Sequence, residues 1–192
     1  MRTIWPIERP ANGTLAFGKT TQAEIMERYG KPVVDPTFDF DGTTKVCKYP
    51  LKKHDASQGP HTGEAWAQNG QLFLFENEIL VGEVYYSSWE ADDTDFDELK
   101  SAEIIKGQTA RDQVLAMLGP SSGRKLCPGD DPENPTGLEY LYVSRRRQSA
   151  VSGHDFRKWL SVQFDPAGIA TDVRLISGFR NHESDTPETA TD

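Results

Sequence analysis

The chain is poor in the residues that catalysis, metal binding and membranes demand. Of its 192 residues two are cysteines, Cys47 and Cys127, and four are histidines. Two cysteines cannot build a disulfide framework; they are two free thiols or one bridge. They form no CxxC, and no His/Cys cluster of zinc-ligand spacing surrounds them. No stretch approaches the ~18 apolar residues of a membrane span. The N-terminal "MRTIWPIERPANG" lacks the apolar core of a signal peptide. As written, the chain is expected in the cytoplasm, or in the periplasm or outer membrane if it is trimmed from an exported precursor. Basic residues are also short, 21 against 30 acidic ones, for a net charge of −9. That excludes a non-specific nucleic-acid binder, which needs a basic footprint to release counterions.

Catalytic signatures are equally thin. There is no G-x-S-x-G and no HExxH. "SGHD" (152–155) holds Ser, His and Asp, but adjacent residues cannot all point at one reacting atom. Asp93, Asp95 and Asp97 begin like a calcium loop, yet Glu98 stands at its obligatory glycine and Ile104 at its bidentate glutamate. The sequence therefore predicts no catalytic residue, no cofactor and no metal.

One motif is present. "GTLAFGKT", Gly13 to Thr20, satisfies the P-loop pattern G-x-x-x-x-G-K-[ST]. A working P-loop also needs a buried strand running into it, and residues 1–12 hold Pro6, Pro10, Arg2, Glu8 and Arg9 instead. A nucleotide-binding enzyme using Gly13–Thr20 is the alternative reading.

A second copy of part of that motif explains it better. "FGKTTQAEIMERYGKP" (17–32) aligns with "KGQTARDQVLAMLGP" (106–120), Gly18 on Gly107, Thr20 on Thr109 and Gly30 on Gly119, 89 residues apart. "FENEILVGEVYYSS" (75–88) aligns with "FDPAGIATDVRLIS" (164–177) at the same spacing. Two blocks at one offset predict a duplicated unit. Each unit opens a helix with a Thr cap, Thr21 with Glu24 or Thr109 with Asp112. Each helix stops at a glycine suited to positive φ. Strands follow: 44–51, two around a hairpin turn at Asn69-Gly70, and 79–88 in the first unit. In the second, three strands form a meander with a turn at Asp165–Gly168.

The predicted fold is α+β, two tandem repeats, each a short helical segment packed on a small antiparallel sheet. An N-terminal arm (1–12) precedes the first repeat (13–89). An acidic linker (90–102) separates it from the second (103–180), and a disordered tail (181–192) ends the chain.

Gly-x-Thr, a helix with "V..ML", then "LGP" and a sheet ending in "F…G….V" resembles the small outer-membrane lipoproteins of the SmpA/OmlA (BamE) type. The tandem arrangement resembles the β-lactamase-inhibitor-protein (BLIP-like) architecture, over about residues 14–88 and 103–177. The resemblance implies a bacterial, non-enzymatic protein that binds another protein, as an envelope assembly factor or an enzyme inhibitor.

Strand alternation then suggests a contact surface. With Phe73 and Phe75 facing the core, Leu72 and Leu74 face outward, where the second unit has Ser161 and Gln163. On the next strand the outward residues are read as Tyr85 and Ser87, against Arg174 and Ile176. The candidate partner-binding set is Leu72, Leu74, Tyr85, Ser87, Trp66, Arg174 and Ile176, an exposed sheet face open to another protein. A structural homodimer using that face is a further alternative.

Overall fold

The computed structural model describes residues 6–11, 14–33, 44–51, 67–147 and 153–181. Trp66, Gly13, His54, His61 and residues 182–192 of the predicted tail lie outside them, while Asn181 ends a strand. The elements run α1 (Gln22–Tyr29), β1 (Lys45–Pro50), β2 (Asn69–Glu76), β3 (Ile79–Ser87), α2 (Glu98–Ser101), α3 (Arg111–Leu118), β4 (Gly123–Lys125), β5 (Gly137–Arg147), β6 (Gly153–Phe164) and β7 (Ala170–Asn181), with α2 a single turn. Among the described residues no helix is long and apolar enough to cross a membrane.

The predicted α+β fold of two tandem helix-on-sheet repeats is overturned: the fold is dominated by one sheet. All seven strands form one antiparallel sheet in chain order, β1 to β7, and the helices are short. The join is β4. Its three residues pair with β3 (Gly82↔Lys125, Val84↔Gly123) and with β5 (Gly123↔Glu139, Lys125↔Gly137). "GRK" has no apolar alternation, so nothing in the sequence marks it as a strand. Gly123 permits the join: a Cβ there would meet the Glu83 carbonyl oxygen at 2.3 Å and the Val84 Cα at 2.6 Å.

Both main helices lie over one face of this sheet. Ile25 of α1 packs with Phe73, Phe75, Leu80 and Tyr85 in one apolar cluster; Val114 of α3 packs with Leu138, Leu160, Val162 and Phe164 in a second. The two starts are held alike. Gly18 N–H donates to Leu80 O and Gly107 N–H to Ala170 O, while Thr20 Oγ1 accepts from Ala16 N and Thr109 Oγ1 from Ile105 N. The caps match the prediction at Thr21, which forms the full box with Glu24. In α3 the N-cap is Ala110 rather than Thr109; Gln113 reaches back to its N–H at 2.8 Å, in place of the predicted Asp112. Gly30 and Gly119 end the helices at φ 82° and 80°.

The hairpin predicted at Asn69-Gly70 is elsewhere. Those residues open β2, pairing with Ser87 and Tyr86, and Gly70 leaves room for the Tyr86 ring lying against it. The turn is Asn77-Glu78, both at positive φ (49° and 65°), as a tight hairpin requires.

That hairpin carries a bulge. Phe75 pairs with Leu80, but Leu74 pairs with Gly82, leaving Val81 as the extra residue. One extra residue reverses which side chains face which side for the rest of β3. Leu72 and Leu74 therefore share their face with Val84 and Tyr86, in a third cluster with Leu141, Val143 and Trp159. A matching bulge between Gln163 and Phe164 leaves Thr171 extra in β7.

The acidic segment 90–102 is tied down. Thr94 donates its N–H to Ser87 O and its hydroxyl to Leu141 O (2.6 Å), Phe96 is buried in the second cluster, and Asp97 caps α2. Asp95 pairs with Lys158, whose ammonium also donates to Phe96 O at 2.6 Å.

Candidate functional site

The predicted partner surface does not assemble. Leu72 and Leu74 are buried, at 0% and 1% exposure, in a cluster with Val84, Tyr86, Leu141, Val143 and Trp159. Tyr85 lies on the opposite face, with Phe73, because the bulge at Val81 turns it over. Ser87 is fully buried, its hydroxyl donating to Asp92 Oδ1 at 2.6 Å. Arg174 and Ile176 do share the Leu72 side of the sheet, but they stand on β7, separated from β2 by four intervening strands. Arg174 is exposed and pairs with Asp172 (2.6 Å). Trp66 lies outside the described residues. Arg145, on internal strand β5, forks onto Asp155 at 2.6 and 3.0 Å.

The P-loop segment is occupied by its own chain. The N–H groups of Gly18, Lys19 and Thr20, which would face phosphate, donate to Leu80 O and Ala16 O. Neither thiol is poised to attack: both cysteines are free and buried, and burial pushes both above the ordinary thiol range.

What the structure opens instead is a polar cleft of about 520 Å³ on the helix-bearing face, between the α1 and α3 halves. Its floor includes Gln71, Glu83, Tyr85, Arg124 and Leu138. Three arginines line it, from distant parts of the chain. Arg9 is placed by Ile7, whose N–H donates to Pro50 O (3.0 Å), and its guanidinium stands 3.9 Å above the Tyr85 ring. Arg111 opens α3 and is tethered by one bond, Nε to Thr136 O at 2.9 Å. Arg124 on β4 sits opposite Glu83 and donates to its Oε1 from Nε and Nη2, both at 3.2 Å.

The loop after β4 closes one wall. The Asp130 carboxylate accepts from Cys127 N, Thr136 N (both 2.7 Å) and Thr136 Oγ1 (2.8 Å), fixing Glu133 to Thr136 at the cleft. Two smaller cavities extend it. One of about 280 Å³ shares Arg9, Tyr85, Ser121 and Ser122 and ends on Asp92, Asp93 and Asp95; one of about 260 Å³ shares Arg124 and Glu133 and reaches Lys19. The centre of the groove thus carries three arginines with Glu83 and Glu133, and Asp92, Asp93 and Asp95 line one end.

Burial pushes the Glu83 carboxyl above the usual carboxylate range, opposed by Arg124 and Arg9. Burial, with Asp92 beside it, raises the Tyr85 phenol, so it stays a neutral donor to Asp92. Two of the three guanidinium groups work on Glu83 and Tyr85; Arg111 lines the cleft while its Nε holds Thr136 O. Sequence reasoning missed this site because residues 9, 111 and 124 converge only when the sheet forms. "ERP" and "SSGR" carry no motif of their own. No known family, curated protein or solved structure matches the chain.

Proposed function

We propose that this protein is a non-enzymatic protein-binding module that holds an acidic stretch of a partner protein in the central cleft. The observation that carries it is the convergence of Arg9, Arg111 and Arg124 in a cavity of about 520 Å³ within a chain of net charge −9. Small-molecule pockets are mostly apolar with a few polar groups; an open, polar groove suits a polypeptide better. Planar guanidinium groups match carboxylates in two-point geometry. The role agrees with the one implied by the resemblance of the Gly-x-Thr helix starts to envelope assembly factors and enzyme inhibitors.

The test is affinity capture with two baits, the native chain and an Arg9→Glu/Arg111→Glu variant of unchanged melting temperature. The native bait is expected to retain a partner that the variant loses at least ten-fold, with a loss that salt reproduces. Equal retention by both baits refutes the cleft as the contact surface.

A further inference from the structure

We propose that β7 pairs edge to edge with β7 of a second copy of this chain, joining two seven-stranded sheets into one. The two edges of the sheet are finished differently. At β1, Ile7 bridges Leu51 and Val33 bridges Lys48, with backbone bonds of 3.0 and 2.9 Å. At β7, Ala170 is bonded to Thr109 and Gly107, but residues 171–181 have no bridge on their outer side among the described residues. An open edge of that length is a template for another strand.

The apolar surface gathers at the same place. The exposed large hydrophobics among the described residues are Leu99, Ile105, Leu175 and Phe179, at 84, 52, 38 and 60%. Leu175 and Phe179 are on β7 itself. Leu99 follows Glu98, which accepts from Ser177 Oγ (2.9 Å), and Ile105 precedes Lys106, which pairs with Asp172 (2.5 Å). All four therefore border one strand.

The strand also complements itself. The midpoint of 171–181 is Ile176. An antiparallel pairing centred there sets Val173 opposite Phe179 of the second copy, twice by symmetry.

Sedimentation equilibrium of the full chain tests this. The expected mass is twice 21.5 kDa, and Leu175→Asp/Phe179→Asp should weaken the dimer at least ten-fold at unchanged melting temperature. Ile176→Cys provides a second arm that does not depend on that variant folding. Opposed Cα atoms about 4.5–5.5 Å apart lie within disulfide range, so it should cross-link on oxidation, while Arg174→Cys should not. A mass of 21.5 kDa at every concentration, a dimer indifferent to the double variant, or equal cross-linking at both positions overturns the proposal.

Discussion

Glu83 shows how one side chain ties the cleft's electrostatics to folding. Burial raises its folded pKa above the unfolded value, and Arg124 pulls it back. The sign follows from linkage. Stability associated with a raised carboxyl is fully present below the unfolded pKa and is lost as pH rises through the folded one. Ionised at higher pH, the carboxylate needs its guanidinium; protonated at lower pH, it needs it less. Arg124→Met should therefore cost more stability at pH 7 than at pH 4 in urea unfolding, and equal losses would mean that Glu83 is not coupled to Arg124. Leu72 makes the complementary case on the other face. It is fully buried, so Leu72→Ala should cost about 2–5 kcal/mol. A loss under about 0.5 kcal/mol, the range of surface changes, would return Leu72 to the exposed surface that strand alternation alone suggests.

At the scale of elements, what was legible depended on whether the signal was local. The helix stops at Gly30 and Gly119, the Thr21 cap and the Asp165–Gly168 turn were all readable, because each is set by residues within a few positions. The bulge at Val81 was not. No residue announces it, and it alone moves Tyr85 to the opposite face from Leu72. The Asn69-Gly70 signal was real as composition but spent on a different need, space for the Tyr86 ring. β4 was the costliest omission, since three residues decide between two small sheets and one large one. Gly123→Ala tests that element. Its Cβ would collide with backbone on β3, so β3 and β4 must part, at a cost of about 3 kcal/mol, the upper range for overpacking. Chemical shifts or exchange should report the damage at residues 82–84 and 137–139. A variant as stable as the native chain would show that β4 does not hold the sheet together.

At the scale of the molecule, the continuous sheet is what makes a site. Two independent units would leave Arg9, with the first, and Arg111, with the second, free to separate. One sheet fixes Glu83, Arg124 and Leu138 in adjacent strands as a common floor, with Arg9 and Arg111 at its sides. None of this was visible in the sequence, because the three arginines are spread from position 9 to position 124 and share no motif. The most direct measurement is hydrogen–deuterium exchange on the native chain with and without its captured partner. Binding should slow exchange at residues 121–124 and 133–136, which line the cleft, and leave 171–181 unchanged. Protection confined to β7, or spread evenly over the chain with none at the cleft, would contradict the claim that this protein holds its partner there.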